Sequence, residues 1–390
     1  MLKIPFSKVA CAGNELKYIT EVLESGWLTT AGKAFKFEEL FAKKVNAKYA
    51  LAVNSCTAAL HLGLEALGVK PGDKVFVPAM TFTATAEVIR YLGAHPVLID
   101  VEYGTTLLTP DIIEKAIKEN PDVKCLIVVH YGGQAAEMIN NSNTGIYDIC
   151  KKHGIKIMED AAHSFPASIN GRLIGNIGDI TCFSFYANKT ITTGEGGMLT
   201  TEDEEIFKRV KVMRLHGINR DVWDRFTSDK PSWEYDVVAP GYKYNMPDLN
   251  AAIGLAQLEQ AENFKQERVK IAEYYNKNLA DCDWIDLPVC KTGINEHAWH
   301  LYPMVFNEKA KVSRNIFIEK MSAAGIGTSV HYKPLYRMTY YKETYNLKPE
   351  NFPVSEKIWN GNVSLPVFPG MTEEELDYVC KTVKNIEKER

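Results

Sequence analysis

The sequence SFYANKTITTGEGGMLT, residues 184–200, places one lysine between an apolar segment and a glycine-rich turn. Lys189 follows the apolar residues 180–186 and precedes the glycines of 194–197, after which residues 198–200 predict a short strand. Burial would lower the pKa of this lysine and leave a neutral amine that can form a Schiff base. Most lysines are solvated, however, so this stretch alone favours an ordinary surface residue.

The composition is that of a globular protein, with 46% hydrophobic and 24% charged residues. A net charge of −4 without a basic block argues against nucleic acid or an anionic membrane as a partner. No apolar run approaches about 20 residues, the length that spans a bilayer, and the first residues do not resemble a secretory signal. The 8 cysteines include no Cys-x-x-Cys pair, which indicates free thiols in a reducing cytoplasm and no metal site.

From about residue 50, short β-branched segments alternate with helical patterns. This alternation predicts an α/β fold with a mostly parallel sheet that is covered by helices on both faces. Strands are expected at 50–53, 75–77, 96–101, 125–130, 155–159, 180–186 and 198–200, and the intervening helices at 57–67, 83–92, 111–119 and 146–153.

Beyond residue 202 the alternation weakens. A long helix is predicted over 247–279, since Asn245 and Pro247 mark its start. The irregular residues 221–240 are long for a bare loop, which indicates a functional or contact-making segment. We therefore expect a large domain with an N-terminal arm over residues 1–264 and a smaller α/β domain over 265–390.

In parallel sheets, ligands bind at the carboxyl ends of the strands, so the residues that follow each strand are the candidates for a site. The turn 54–57 (Asn-Ser-Cys-Thr) leads directly into a helix, where exposed N–H groups favour a phosphate. Phe82 could stack on a flat ligand, and Asp160 ends the strand predicted at 155–159. The common alternatives are a helix cap for Ser55 or Asp160 and core packing for Phe82.

Together these residues match the requirements of pyridoxal phosphate, which needs an amine, a carboxylate at its ring nitrogen, an aromatic face and an anion site. Lys189, Asp160, Phe82 and the Ser55–Thr57 turn supply these four groups, and Ser184 adds a hydroxyl. The glycine spacing fits neither the dinucleotide fingerprint nor the P-loop.

Several motifs in this order resemble the DegT/DnrJ/EryC1/StrS sugar aminotransferases, pyridoxal-phosphate enzymes of fold type I. The resemblance covers nearly the whole chain. It is carried by SGWLTT at 25–30, NSCTAA at 54–59, EDAAH at 159–163, SFY at 184–186 with Lys189, TGEGG at 193–197, GYKYN at 241–245 and HAWHLY at 297–302.

The resemblance implies that Lys189 binds the cofactor (PLP or its aminated form, PMP) as a Schiff base and that Asp160 pairs with the pyridine nitrogen. His163 would lie near the 3-oxygen, and Asn245 would reach the cofactor phosphate of a neighbouring subunit in an obligate homodimer. The remaining contacts would be Phe82 on the ring; Ser55, Cys56, Thr57 and Ser184 at the phosphate; and Trp27, Thr29, His130, Tyr131 and His331 at the substrate.

The implied reaction moves an amino group from L-glutamate to a nucleotide-linked keto-sugar, with carbon 4 of a UDP-4-keto sugar as the expected position. Residues 135–145 and the pair Phe165-Pro166 depart from the usual family pattern, which leaves the exact sugar open. Two alternatives remain on the same fold. A pyridoxal-dependent sugar dehydratase would carry histidine in place of Lys189, and a non-catalytic regulator would have no need of both Lys189 and Asp160.

Overall fold

A computed structural model describes residues 2–219 and 235–388. Its central sheet has seven strands in the order β1-β9-β8-β5-β4-β2-β3, and each matches a predicted strand to within two residues at either end. The strands of the large domain are β1 Tyr49–Val53, β2 Lys74–Pro78, β3 His95–Ile99, β4 Cys125–Val129, β5 Lys156–Asp160, β6 Ser168–Ile169, β7 Arg172–Leu173, β8 Ile180–Ser184 and β9 Gly197–Thr201.

The central sheet is parallel except for β9, which is antiparallel to both β1 and β8. This reversal places the first residue of β9 at the same edge as the last residues of its neighbours, since Gly197 pairs with both Val53 and Ser184. The connection from β8 to β9, which contains Lys189, therefore lies at the carboxyl edge of the sheet.

Helices cover both faces of the sheet, as the alternation predicted. Along β1, Ala50 and Ala52 pack into one core cluster, whereas Leu51 and Val53 pack into the other. The helices are α1 Glu15–Ser25, α2 Gly32–Val45, α3 Cys56–Ala66, α4 Ala84–Tyr91, α5 Pro110–Glu119, α6 Ile146–Lys152, α7 Glu204–Met213, α8 Asp248–Asn278, α9 Arg314–Ala323, α10 Thr339–Tyr345, α11 Pro353–Gly361 and α12 Glu373–Lys388. The chain therefore has the sandwiched α/β fold expected from its sequence.

A second, smaller sheet of three antiparallel strands follows α8: β10 Ile285–Asp286, β11 Tyr302–Phe306 and β12 Asn362–Leu365. It has its own core. The long helix α8 serves both cores, because Leu255 and Phe264 pack into the large one and Val269 and Tyr275 into the small one. The domain boundary at 264/265 stays a prediction, and this change of packing partner along α8 supports it.

Two segments cross between these units. Near the N-terminus, Ile4 forms a β-bridge with Ile326 and packs into the core of the small sheet. In the opposite direction, Leu335 and Tyr341 pack into a core cluster of the large sheet. Most of the irregular segment predicted over 221–240, including Trp223 and Trp233, lies outside the described residues. Among the described helices, none is long and apolar enough to cross a membrane.

Candidate active site

A cavity of about 340 Å³ opens at the carboxyl edge of the central sheet. The residues that line it come from several segments between Ser55 and Tyr332, so the fold brings together parts of the chain that are far apart in the sequence. Nine of the residues predicted from the sequence line it: Ser55, Cys56, Thr57, Phe82, Asp160, His163, Ser184, Lys189 and His331.

Lys189 is half-buried in the wall of this cavity, on the connection between β8 and β9. Burial lowers the pKa of its amine to about 8, although the negative charges of Cys56 and Asp160 would favour the charged form. A substantial fraction of the amine is therefore neutral near pH 8, as Schiff-base formation and proton transfer require. Lys189 is therefore a cavity residue and not the ordinary surface lysine that the local sequence alone favoured.

Asp160 ends β5 and is only 5% exposed. Its carboxylate accepts hydrogen bonds from Thr85 Oγ1 at 2.8 Å and from the backbone N–H of Ala162 at 3.2 Å. Burial raises the pKa of Asp160, while these two hydrogen bonds and the charge of Lys189 act in the opposite direction. A cationic ring nitrogen facing Asp160 would favour its ionised form further.

His163 is also buried, and both of its ring nitrogens have partners. The Gly132 N–H donates to Nδ1 at 3.3 Å, and Nε2 lies 2.9 Å from the Tyr332 hydroxyl. The His300 ring packs against the imidazole, with centroids 4.4 Å apart. Burial, followed by the nearby titratable groups Lys189 and His331, holds the pKa of His163 well below its usual value, so the imidazole is neutral.

The N-terminus of α3 forms an anion site at one end of the cavity. The Ser55 hydroxyl caps the helix by accepting from the Ala58 N–H at 3.1 Å, which leaves the first amides of the helix directed towards the cavity. Gly197 allows this approach, because a Cβ there would lie 2.5 Å from the Ser55 carbonyl carbon. Ser184, which pairs with Gly197 across the sheet, adds its hydroxyl beside this turn.

Phe82 and His331 lie on the side of the cavity nearest the small domain. Phe82 is 55% exposed, and its ring is 5.8 Å from that of Tyr332. The His331 Nδ1 lies 2.9 Å from Ser364 Oγ on β12. Burial and the charge of Lys189 lower the pKa of His331 to about 3, so it too is neutral.

Two residues predicted to contact substrate do not line the cavity. His130 is fully buried, and its Nε2 lies 2.9 Å from Glu159. Successive side chains of β5 point to opposite faces, so Glu159 and its histidine lie in the core while Asp160 faces the cavity. Tyr131 is also buried, and its hydroxyl donates to the carbonyl oxygen of His331. Both residues lie behind the cavity wall of their own chain, and their contact with substrate stays a prediction.

Three further predicted residues, Trp27, Thr29 and Asn245, do not line this cavity. The amide of Asn245 donates to Thr30 Oγ1 at 2.6 Å, and the Thr29 carbonyl accepts from the Asp248 N–H at 3.3 Å. They are therefore not part of the site formed by their own chain, which is the arrangement expected if they serve another subunit.

The structure also identifies residues at the site that the sequence-based prediction missed. Thr85 does not line the cavity but donates a hydrogen bond to Asp160, Tyr332 contacts His163, and Asn188 and Glu195 line the cavity with Lys189. Three of these residues had a signal in the sequence: Tyr332 stands next to His331, and Asn188 and Glu195 lie within the stretch 184–200. The role of Thr85 depends on the pairing of distant strands, which no local pattern reveals.

The residues present fit pyridoxal phosphate. The cavity offers an amine with a lowered pKa, a buried carboxylate, an aromatic face and a helix N-terminus. In addition, the Asn188 Oδ1 atom on the cavity wall is buried without a hydrogen-bond partner, as is typical of a polar group that binds a ligand. Among the described residues, no group of acidic, histidine or cysteine side chains is arranged to hold a metal ion.

Fold and site together define a pyridoxal-phosphate-dependent aminotransferase of fold type I. More specifically, the chain belongs to the DegT/DnrJ/EryC1/StrS aminotransferase family, a family of sugar aminotransferases whose family model matches residues 10–384. Pyridoxal phosphate is the cofactor, since a solved relative, Spr1654 from Streptococcus pneumoniae, is known in both the PLP and the PMP form.

Three relatives illustrate the similarity. The chain is 40% identical to the spore coat polysaccharide biosynthesis protein SpsC of Bacillus subtilis over 99% of this chain and 97% of SpsC. The PMP form of Spr1654 from Streptococcus pneumoniae is 33% identical, with a TM-score of 0.87, over 99% of this chain and 98% of that one. Helicobacter pylori PseC, an aminotransferase involved in the biosynthesis of pseudoaminic acid, is 26% identical, with a TM-score of 0.90 and full coverage (100%) of both chains.

Proposed function

We propose that this enzyme transfers the amino group of L-glutamate to a nucleotide-linked keto-sugar. The observation that carries the proposal is the convergence of Lys189, Asp160 and the N-terminus of α3 on one cavity. These groups provide an amine, a counter-ion and an anion site within a single ligand-sized space. A dehydratase is not favoured, because Lys189 occupies the position where such an enzyme would carry histidine.

The protein residues divide the chemical work between them. Bound pyridoxal phosphate supplies a protonated pyridine ring that withdraws electron density from the reacting carbon. Asp160 keeps the ring nitrogen protonated, because its charge is held in place by Thr85 and Ala162. The Lys189 amine, once free, accepts a proton from the substrate carbon and returns it, a role that its lowered pKa permits.

The nature of the acceptor rests on resemblance. Residues 24–27, 130–131, 241–245, 297–300 and 325–328 resemble those of UDP-4-amino-4-deoxy-L-arabinose–oxoglutarate aminotransferase. We therefore propose a UDP-4-keto sugar, aminated at carbon 4, as the acceptor. The relatives SpsC and PseC are named for polysaccharide and pseudoaminic acid biosynthesis, which agrees with a role in making an amino sugar for a surface polysaccharide or glycan.

We further propose a homodimer in which each subunit completes the site of the other. Asn245, Trp27 and Thr29 support this proposal, because none of them lines the cavity of their own chain. In such a dimer, Asn245 contacts the cofactor phosphate of the partner subunit, and Trp27 and Thr29 contact its substrate.

The proposed reaction is tested with the purified, cofactor-loaded protein. Glutamate should bleach the visible absorption of the lysine-bound cofactor and release 2-oxoglutarate. A panel of UDP-, dTDP- and GDP-linked keto-sugars is then added to the bleached enzyme, and mass spectrometry of the products identifies the acceptor. Return of the visible band with one UDP-4-keto sugar supports the proposal. Bleaching without an aminated product from any member of the panel contradicts it.

A further inference from the structure

Tyr332 brings a hydroxyl group into the cavity beside Phe82. This hydroxyl lies 2.9 Å from His163 Nε2. Within the part of the chain that the structure describes, it has no second hydrogen-bond partner. The direction of this single hydrogen bond therefore decides what Tyr332 can offer to a ligand.

The hydrogen bond at the other ring nitrogen of His163, Nδ1, determines whether Tyr332 donates or accepts. The Gly132 N–H can only donate, so His163 Nδ1 accepts at 3.3 Å. A neutral imidazole has one donor and one acceptor nitrogen, which assigns the hydrogen to Nε2. His163 therefore donates to the Tyr332 oxygen, and the tyrosine keeps its own hydrogen for another acceptor.

The surroundings preserve this arrangement across ordinary pH. Burial, followed by the nearby titratable groups Tyr131 and Asp160, raises the pKa of Tyr332 well above its usual value, so the phenol stays protonated. The His300 ring, 4.4 Å from His163 between centroids, limits rotation of the imidazole. Since the described protein atoms offer the tyrosine no acceptor, its hydrogen is available to a group that binds in the cavity.

We propose that Tyr332 donates a hydrogen bond to a negatively charged oxygen of the bound ligand and that His163 acts as its positioning residue. The proposal concerns two such oxygens, the phenolic 3-oxygen of the cofactor and the carboxylate of glutamate. The sequence-based prediction placed His163 itself near the 3-oxygen, but both of its nitrogens have protein partners. The inference rests on the proposed attachment of the cofactor to Lys189 and on glutamate as the amino donor.

The test compares Tyr332→Phe with Tyr336→Phe. Tyr336 is a matched control, because its buried hydroxyl donates to Glu356 at 2.9 Å and does not line the cavity. Both variants are loaded with pyridoxal phosphate, and the pH at which the visible band changes is measured without substrate. The concentration of glutamate that bleaches half of the band is then measured at constant pH.

The two sources of the oxygen give different results. If Tyr332 contacts the 3-oxygen, its loss leaves more charge on that oxygen, and the midpoint of the pH titration rises by about one unit. If it contacts the carboxylate, the midpoint is unchanged and the half-bleaching glutamate concentration rises about tenfold. Either result supports the proposal, and Tyr336→Phe should show neither.

Variants of His163 test the same hydrogen bond without altering the tyrosine. His163→Gln keeps an N–H donor and should retain the behaviour of the unsubstituted protein, whereas His163→Leu should behave like Tyr332→Phe. The proposal is overturned if Tyr332→Phe folds with an unchanged melting temperature and both measurements match the control. Absence of the visible band in the unsubstituted, loaded protein would instead refute the attachment to Lys189, and with it this inference.

Discussion

The charge of Asp160 depends on a short chain of hydroxyl groups. Thr81 and Thr85 are hydrogen-bonded to each other at 2.9 Å, and Thr85 Oγ1 donates to the carboxylate at 2.8 Å. Both threonines are buried, so water cannot replace the lost donor if one is removed. The strength of the pairing between Asp160 and the cofactor therefore depends on residues that do not contact the cofactor.

Thr85→Val preserves the shape of this side chain but removes its hydroxyl. The pKa of Asp160 should rise further, because one hydrogen bond to its charged form is lost. We expect turnover to fall about tenfold, which corresponds to one charge-assisted hydrogen bond. Thr83→Val is the control, since the Thr83 hydroxyl donates to Glu87 on α4. Equal turnover in the two variants would contradict this role for Thr85.

Burial of Lys189 should cost stability in the cofactor-free protein wherever the amine is charged. Its pKa is lowered from 10.5 to about 8, so the unfolded chain binds more protons between these pH values. Replacement by methionine should therefore raise the free energy of unfolding at pH 7 by up to about 3 kcal/mol. That advantage should shrink as the pH rises from about 8 towards 10.5. Urea unfolding of both proteins across this range measures it, and a pH-independent difference would contradict the expectation.

Among single residues, the sequence identified those that a pattern in the neighbouring residues indicates. Lys189 and Asp160 were identified because each follows a recognisable strand, and chemistry at strand ends is a general property of parallel sheets. His130 follows a strand in the same way, but its side chain is buried in the core. There it pairs with Glu159 on the adjacent strand β5. Thr85 acts through a hydrogen bond to Asp160, which is far away in the chain, so no nearby pattern indicated it.

Among the elements, the contact between α3 and β9 sets the position of the anion site. Gly197 begins β9 directly against the first turn of α3, where its missing side chain leaves room for Ser55 and Cys56. The sequence showed that a glycine turn follows Lys189, and it showed the start of a helix at Cys56. It could not show that the two meet, because their contact results from the antiparallel insertion of β9 between β1 and β8.

Gly197→Ala should displace the start of α3. Its Cβ would lie 2.5 Å from the Ser55 carbonyl carbon and 2.7 Å from the Cys56 nitrogen, and backbone atoms cannot rotate away. We expect a loss of about 1–3 kcal/mol in the free energy of unfolding and a higher pyridoxal phosphate concentration for half-saturation. Gly32→Ala is the control, because a Cβ there meets nothing within 4 Å. Unchanged cofactor binding in Gly197→Ala would show that α3 is not the anion site.

For the whole molecule, the central question is which chain completes each site. Helical and strand periodicity predicted the sandwiched fold and the long helix α8, because those signals repeat along many residues. The sequence did not predict that Ile4 packs into the core of the small sheet or that Leu335 packs into a core cluster of the large sheet. A single apolar residue in a sequence does not indicate which core it joins. Contacts between subunits are likewise invisible in one chain, and only the resemblance to a family indicated them.

Mixed dimers of Lys189→Ala and Asn245→Ala test the shared site. Each variant alone should be almost inactive. If Asn245 serves the partner, the mixed dimer contains one site with an intact lysine and an intact asparagine, so activity should return to as much as half of the unsubstituted value per mixed dimer. If Asn245 acts within its own chain, every site carries one defect and mixing restores nothing. Activity after co-expression with two different affinity tags distinguishes these outcomes.

The most direct test of the account is the position at which the cofactor is attached. The protein is loaded with pyridoxal phosphate and reduced with borohydride, which makes a Schiff base permanent, and its peptides are then analysed by mass spectrometry. We predict that the cofactor mass lies on Lys189 and that Lys189→Ala carries neither this mass nor the visible band, whereas Lys208→Ala, a change at an exposed lysine, retains both. Attachment at a different lysine, or a visible band that survives in Lys189→Ala, would contradict the assignment.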